Sequence, residues 1–274
     1  NELAILDTSY NSFTGEIDSN FKNAPNIEYM HLSNNCFGGN FPHDICELGR
    51  LKILILSNLD SGESCRSFFW ENTIFDSFDG FGTKSKLSGS IPPCVYELPE
   101  ISEIYLRGNT LPGSLSNNIG SKLKILDTSY NRINGKIPKW FLSSQIVKLD
   151  LSHNRLSGNL DHANGIKYNS DTQEIYLQSN YVSGMIPSSF ANILNINILD
   201  GNLFECDYKS ELPIHDPRSN TYICASTNYT SDIIALIICI FIVILLGLWL
   251  IGWPYYKKDP KICAVVNELK LWYN

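Results

Sequence analysis

A short motif recurs along most of the chain, and this repetition limits the possible folds more than any other feature does. Its clearest copy reads IVKLDLSHNRLSGNL, and the same pattern returns in IEYMHLSNNCFGGNFP, ISEIYLRGNTLPGSL, LKILDTSYNRINGKIP and TQEIYLQSNYVSGMIP. The motif asparagine stands at Asn11, Asn35, Asn109, Asn131, Asn154, Asn180 and Asn202, and the last five are 22, 23, 26 and 22 residues apart. This period predicts a stack of similar coils.

The alternation of apolar residues within each copy, such as Leu149 and Leu151, predicts a short strand with one face turned inward. One such strand buries too little surface alone, so neighbouring coils must stack and share a continuous core. We expect each motif asparagine to hydrogen-bond backbone groups of neighbouring coils, because leaving those groups unpaired would cost about 1–3 kcal/mol each. The Gly-x-Ile-Pro ending suits a tight bend at which pairing stops. We interpret these residues as scaffold.

The complete unit, LxxLxLxxNxLxGxIP, resembles the plant-type leucine-rich repeat of receptor-like proteins and receptor-like kinases, and it covers residues 1–202. The resemblance implies an α/β-type leucine-rich-repeat solenoid with short parallel strands on a concave face. It also implies that this face binds an extracellular peptide, glycan or protein.

The segment LKILILSNLDSGE departs from the pattern. It begins as a repeat, but Leu59 occupies the asparagine position and Asn58 stands one residue early. The stretch of about 60–86 that follows is rich in Ser, Gly and Phe, and the pattern returns only in KLSGSIPP. The fifty residues that separate Asn35 from Ser85 correspond to about two repeat lengths. We therefore favour a degenerate coil, with a loop insertion that serves binding as the alternative.

The eight cysteines do not have the spacing of a metal site, so we expect no metal and no cofactor. Cys46 and Cys94 occupy equivalent places in their repeats, where we interpret them as small buried apolar residues. Cys206 and Cys224 lie in segment 203–232, directly after the last repeat. We predict that they form a disulfide that caps the solenoid, contributes about 3 kcal/mol and implies an oxidising compartment.

Residues 233–253 read IIALIICIFIVILLGLWLIGW and contain no charge. A helix of this length matches the hydrocarbon thickness of a bilayer, so we predict one transmembrane helix in contact with membrane lipid. Lys257 and nearby lysines predict a cytosolic tail, residues 254–274, and a type I protein of the plasma membrane with its repeats outside. Asn228 begins an Asn-Tyr-Thr glycosylation sequon on the predicted outer side.

The predicted tail of about twenty residues is too short for a kinase domain. The chain in this respect resembles receptor-like proteins, which lack a kinase, and the resemblance implies a co-receptor kinase as partner. Asn1 lies inside the first repeat, so we expect the chain to be a fragment or the product of a truncated gene. The net charge of -7 argues against a nucleic-acid partner.

An enzymatic function has no support in the motifs, because GxSxG, HExxH and P-loop sequences are all missing. Asp127 and Asp150 occupy the same exposed strand position in adjacent coils, and two stacked carboxylates can in principle perform acid–base chemistry. We favour a solvated polar face instead.

The candidate binding residues lie between and just after the strand leucines, where side chains point outward. Tyr and Arg, which are frequent among interface hot spots, are well represented there. By coil the candidates are Tyr29 and His31; Tyr105 and Arg107; Asp127 and Tyr130; Lys148, Asp150 and His153; and Glu174, Tyr176 and Gln178. The alternatives to a receptor are a membrane-tethered adhesion or enzyme-inhibitor module and a non-functional truncated receptor.

Overall fold

A computed structural model describes residues 2–17, 20–59, 65, 87–206, 212–225 and 235–246. The chain divides into two compact units, Asn1–Cys224 and Ala225–Asn274. Residues 235–246 of the second unit are helical. Within the part of the chain that the structure describes, no helix is both long enough and apolar enough to cross a membrane. The remainder of the predicted span 233–253, the sequon at Asn228 and the predicted tail 254–274 lie outside the described residues.

The first unit is built from short strands, which the repeated apolar positions specify. Over the described residues these are β1 (Ile5–Asp7), β2 (Thr14–Glu16), β3 (Tyr29–His31), β4 (Cys36–Asn40), β5 (Ile53–Ile55), β6 (Leu87–Ser88), β7 (Glu103–Tyr105), β8 (Ile125–Asp127), β9 (Asn134–Gly135), β10 (Lys148–Asp150), β11 (Arg155–Gly158), β12 (Glu174–Tyr176), β13 (Tyr181–Met185), β14 (Asn195–Asn197) and β15 (Leu203–Glu205). One α-helical turn, α1 (Pro93–Tyr96), and 3₁₀ turns at Phe21–Asn23, His43–Glu47, Lys139–Leu142, Asp161–Ala163 and Ser188–Phe190 connect them.

Eight of these strands form one parallel sheet in the order β1-β3-β5-β7-β8-β10-β12-β14. Equivalent residues of successive coils are paired, as Leu149 is with Leu126 and with Ile175. These central strand residues are buried in a single core that runs through all the coils. Shorter parallel sheets, β2-β4-β6 and β15-β13-β11-β9, line the chain after each asparagine position. The architecture is the leucine-rich-repeat solenoid that the repeat pattern predicted.

The motif asparagines hold the coils together as expected. The Nδ2 group of Asn154 donates to the carbonyl of Thr128 in the preceding coil at 2.9 Å and to those of Leu151 and Ser152 in its own coil at 3.1 Å. Its Oδ1 atom accepts the amide of Ile133 at 2.9 Å. One side chain thus satisfies four backbone groups, all buried between coils, where unpaired groups would be costly.

Residues 60–86, for which we favoured a degenerate coil over a loop insertion, lie outside the described residues except for Cys65, and the described segments on either side of them belong to one coil. Strand β5 pairs directly with β7, so the eight-stranded sheet has no further strand between these two. The chain resumes in β6, which pairs with β4 of the preceding coil. Leu59 is fully buried at the asparagine position, and Asn58 before it has the positive φ of its equivalents in other coils. The coil is therefore regular on both sides of residues 60–86.

One disulfide joins residues on either side of segment 60–86, and a second ends within that segment. Cys46 of the 3₁₀ turn His43–Glu47 is bonded to Cys94 of α1, with the two Cα atoms 5.6 Å apart, which corrects the interpretation of both as unpaired apolar residues. Cys36 of β4 is bonded to Cys65, the one described residue within that segment. Because stacking places equivalent turns of adjacent coils side by side, cysteines at equivalent positions meet within bonding distance.

The last coil is closed by a cap. Cys206 and Cys224 are bonded, with their Cα atoms 5.5 Å apart. Asp216, 3 % exposed, accepts the amides of Ile198 and Leu199 through Oδ2. The hydroxyl of Tyr222 accepts the amide of Phe204 at 2.7 Å. These contacts satisfy backbone groups of the terminal coil that a further coil would otherwise pair.

Candidate functional site

The eight-stranded sheet presents two columns of outward side chains, which we name the strand face. Because a strand alternates sides, the first and third residues of each strand point away from the core. The register of the strands places in the first column Ile5, Tyr29, Ile53, Glu103, Ile125, Lys148, Glu174 and Asn195, and in the second column Asp7, His31, Ile55, Tyr105, Asp127, Asp150, Tyr176 and Asn197.

Three of the predicted residues form a stack beside the strand face. The guanidinium of Arg107 lies over the ring of Tyr130, 4.6 Å from its centroid. The ring of Tyr130 in turn stacks on that of His153, with a centroid separation of 4.0 Å and an interplanar angle of 18°. Tyr130 is 45 % exposed, so the stack presents a large and preorganised surface to a partner.

The backbone explains why these rings meet. Tyr130 and His153 have φ values of 55° and 54° and stand directly before the motif asparagines of their coils. The left-handed conformation recurs at this position in each coil, so side chains there project in parallel from adjacent coils. A non-glycine residue is strained in this region. Asn131 and Asn154, the motif asparagines that follow Tyr130 and His153, each make four hydrogen bonds with the backbone. These bonds fix the bend and so keep the preceding residue in its strained conformation.

Lys148, Glu174 and Tyr176 form a second group. The Nζ atom of Lys148 lies 3.1 Å from a carboxylate oxygen of Glu174 and 5.9 Å from the centroid of the Tyr176 ring. Burial acts to lower the pKa of Lys148, but the hydrogen bond and the charge of Glu174 together outweigh it, so that the pKa of Lys148 is raised. Lys148 is therefore a cation that is already paired with Glu174 of the same chain.

Asp127 and Asp150 lie side by side in the second column, paired across β8 and β10. The Oδ1 atom of Asp127 accepts the amide of Ser129 at 3.0 Å and its hydroxyl at 2.6 Å. Asp150 makes the same two hydrogen bonds with Ser152 at 3.0 and 2.6 Å. The same arrangement occurs at Asp7 with Ser9. Each carboxylate is therefore held by the residue two positions later.

The two carboxylates differ in burial. Asp150 is 9 % exposed, which corrects the expectation that it occupies an exposed position on a solvated face. Burial raises the pKa of Asp150, and the charge of Asp127 raises it further, while the hydrogen bonds from Ser152 and the charge of Arg107 oppose this shift. The chain therefore keeps a carboxylate where ionisation is disfavoured.

Tyr105 borders this pair at one end, and its hydroxyl donates to Glu103 at 2.9 Å. Burial and the adjacent carboxylate of Glu103 raise the pKa of Tyr105 to about 12, so the phenol remains protonated. Tyr176 borders the pair at the other end. Gln178, the last predicted residue, is half-buried, and its Oε1 atom has no hydrogen-bond partner among the described residues.

Tyr29 and His31 are separate from the other predicted residues. The rings make an edge contact, and Nδ1 of His31 lies 3.5 Å from Oδ2 of Asp7. Strand β5, whose outward residues are Ile53 and Ile55, lies between them and β7. The ten other predicted residues belong to the coils from β7 to β12.

Known proteins with similar sequences support the repeat assignment. A family model described as Leucine Rich Repeat matches residues 26–48, 122–144 and 145–164. Receptor-like protein 35 of Arabidopsis thaliana is 34 % identical over 207 residues, which cover 73 % of this chain and 21 % of the relative. Receptor-like protein 32 of the same plant is 28 % identical over 210 residues, or 74 % of this chain and 21 % of the relative. The chain thus spans about a fifth of the length of these curated relatives.

Solved structures agree with the fold. The ectodomain of the Arabidopsis receptor kinase HAESA, solved in complex with the peptide hormone ligand IDA, is 27 % identical and superposes with a TM-score of 0.56 over 73 % of this chain and 30 % of its own. A plant ice-binding protein superposes with a TM-score of 0.58 at 20 % identity, over 82 % of this chain and 73 % of its own, and this likeness concerns the fold alone.

The fold and the row of motif asparagines that link its coils, here called the asparagine ladder, define a solenoid of plant-type leucine-rich repeats. Within that class, the chain is homologous to the receptor-like proteins of Arabidopsis thaliana, at 26 to 34 % identity over most of its length. The homology confirms the resemblance that the LxxLxLxxNxLxGxIP unit carried.

Proposed function

We propose that the chain is a ligand-recognition part of a plant cell-surface receptor and that it binds an extracellular peptide on its strand face between Tyr105 and Gln178. The observation that carries this proposal is the concentration of preorganised outward side chains in consecutive coils from β7 to β12. Such rigid aromatic and arginine side chains supply contact area at low entropic cost. A peptide is favoured over a glycan because the HAESA ectodomain was solved with a peptide hormone.

The proposal is tested with peptides from the extracellular fluid of plant tissue. The full chain is incubated with this fraction, bound peptides are identified by mass spectrometry, and the affinity of a synthetic copy is measured. Replacing Arg107 or Tyr130 by alanine should weaken binding by about 1–2 kcal/mol each. The two losses should not be additive, since Arg107 lies on the Tyr130 ring.

The matched control is Tyr181→Ala, because Tyr181 is 60 % exposed but lies on β13 of a different sheet. It should leave the affinity unchanged. A peptide whose binding survives Arg107→Ala and Tyr130→Ala but is lost with Tyr181→Ala would contradict the proposal.

We further propose that residues 233–253 anchor the protein in the plasma membrane, with the repeats outside, Asn228 glycosylated and signalling through a partner kinase. The uncharged sequence and the lysines that follow support this topology. Protease added to intact cells should remove the repeats and leave a small membrane-bound stub. Repeats that resist digestion until detergent is added would contradict the orientation. Ligand-dependent co-purification of a kinase with the full chain tests the signalling partner.

A further inference from the structure

We propose that the outer flank of two consecutive coils binds an acidic polysaccharide, a polymer of uronic acids, through a group of exposed cations that we name the basic face. The basic face consists of Arg132, Lys136, Lys139 and Arg155. It belongs to the sheet β15-β13-β11-β9 and to the 3₁₀ turn that follows β9, so it is separate from the strand face. The proposal is therefore independent of what the strand face binds.

The register of this sheet gathers three of the cations around one neutral residue. Arg155 of β11 is paired directly with Asn134 of β9. Arg132 stands two residues before Asn134, and Lys136 stands two residues after it. Both are diagonal neighbours of Arg155, at the separation of about 7–8 Å over which long side chains still reach one another. Ile133 is buried between two outward residues, as the alternation requires. Like charges this close repel one another, and an anion that lies between them removes the repulsion.

Lys136 is held in place by a glycine of the next coil. Its Cγ, Cδ and Cε atoms would lie 2.9, 3.4 and 3.6 Å from a Cβ atom added at Gly158, so the lysine stem runs across this glycine. Gly158 has a φ of 89° and is the last residue of β11, the strand that carries Arg155. The stem is thereby confined before any ligand binds, which lowers the entropic cost of binding.

The cations of the basic face have no acidic partner, unlike other lysines of the chain. Ion pairs between coils join Lys52 to Glu28, Lys122 to Glu100 and Lys148 to Glu174. Among the described residues, no side chain of the basic face makes an ion pair or donates a hydrogen bond. Residues 131–142 contain no acidic residue, and residues 154–163 contain Asp161 alone. The group is therefore available to an external anion, although the net charge of the chain is -7.

An exposed aromatic ring extends the basic face along the same coil. Trp140 is 45 % exposed, and Nζ of Lys139 lies 4.6 Å from the centroid of its ring. A flat indole packs against the C–H face of a pyranose ring, and an ammonium group beside it pairs with a carboxylate of the same sugar chain. Arg132 and Lys139 are seven residues apart, which is at most about 25 Å of chain. The basic face thus suits an extended ligand that carries several charges.

A polysaccharide fits this surface better than an acidic protein does. Protein interfaces have an apolar centre that is depleted of charge. Here the outward residues among the cations are neutral and polar, namely Asn134, Ser157 and Asn159, and the aromatic ring lies at one end. Amide and hydroxyl side chains donate to and accept from sugar hydroxyls. An acidic sugar chain therefore meets cations, hydrogen-bonding groups and one aromatic ring in succession.

The probe for the test is a galacturonic acid decamer, compared with the same decamer after methyl esterification, which removes the charge and keeps the sugar chain. Calorimetry measures the binding of each to the full chain in an uncharged detergent. The acidic decamer should bind about tenfold or more tightly than the ester. Its affinity should fall as the salt concentration rises, because exposed charges are screened.

The test variant replaces three cations of the basic face by glutamine: Arg132→Gln/Lys136→Gln/Arg155→Gln. The matched control removes the same charge from exposed lysines that precede strands of the eight-stranded sheet: Lys52→Gln/Lys122→Gln/Lys124→Gln. The test variant should bind the acidic decamer about tenfold or more weakly than the wild type, and the control should stay within about twofold of it. Circular dichroism and thermal unfolding of each variant separate loss of the site from loss of the fold.

Trp140→Ala tests the sugar contact, because it removes the ring and leaves every charge. It should weaken the binding of the acidic decamer and leave the salt dependence unchanged. Equal affinity of the wild type for the two decamers, equal losses in the two triple variants, or no effect of Trp140→Ala would overturn the proposal. Tighter binding of a glutamate decamer or of dihexanoyl phosphatidylserine at the same salt concentration would also overturn it, in favour of an acidic protein or a membrane surface.

Discussion

The coils before residue 60 and those after residue 86 share one scaffold, but their strand faces differ. In the first group, Asp7 is paired with His31, and β5 presents Ile53 and Ile55. In the second group, Asp127 lies beside Asp150. The buried central residues continue through both groups without interruption. The comparison shows that the scaffold leaves the outward positions free to vary, so recognition can be assigned to some coils and not to others.

The junction between the two groups is itself informative. Asn109 donates to the carbonyl of Leu56 at 2.8 Å, across the coil that contains residues 60–86. Its Oδ1 atom has no hydrogen-bond partner among the described residues. In the other complete coils this atom accepts the amide two residues after the preceding asparagine position. Here that residue is Ser61, which lies outside the described residues.

The largest loss of stability should follow the removal of the disulfide that joins the two groups of coils. Replacing Cys46 and Cys94 together by serine should lower the free energy of unfolding by about 4 kcal/mol, because the bridge closes a loop with a sequence separation of 48 residues. Urea denaturation of the full chain measures this change. Cys239→Ser is the control, since Cys239 is exposed and unpaired, and it should have no effect. An equally small change in both variants would show that the bridge does not hold the coils.

The asparagine ladder should give the next largest effect. Asn154→Ala removes four hydrogen bonds between buried groups and should cost about 3 kcal/mol. Asn11→Ala removes only two exposed hydrogen bonds, to Thr8 and Ser9, and should cost less than about 1 kcal/mol. Denaturation midpoints of the two variants test this order. Equal losses would mean that the asparagine acts through local turn geometry and not by linking coils.

The smallest effect on stability should come from replacing Asp150 or Asp7 by asparagine, and the two replacements should act in opposite directions. The pKa of Asp150 is raised in the folded state, so the fold favours its protonated form and loses stability as the pH rises through its titration range. Asp150→Asn should therefore be at least as stable as the wild type at pH 7, with a smaller advantage at pH 4.

The pKa of Asp7 is lowered, first by the hydrogen bond from the amide of Ser9, so its ionised form favours the fold. Asp7→Asn should accordingly be slightly less stable than the wild type at pH 7 and equal to it at low pH. Thermal unfolding at both pH values measures the two variants side by side. If Asp150→Asn loses as much stability at pH 7 as Asp7→Asn does, the ionised form of the buried Asp150 does not destabilise the fold.

The sequence by itself determined the repeat, the strand positions and the role of the asparagines. These follow from local rules, because the alternation of apolar residues sets the inward face and each asparagine can serve only the backbone near its own turn. The same rules placed the outward residues on one face and named Tyr130, His153 and Arg107 as candidates.

Only the tertiary structure decided how the coils meet. That β5 pairs with β7, that Cys46 bonds to Cys94, and that Asp150 is buried beside Asp127 all depend on which coil stacks on which. A missing asparagine at Leu59 fits either a degenerate coil or an insertion, and no sequence pattern shows that β5 pairs directly with β7. Stacking brings together residues that are 20 or more positions apart, and no local pattern encodes the distance between them.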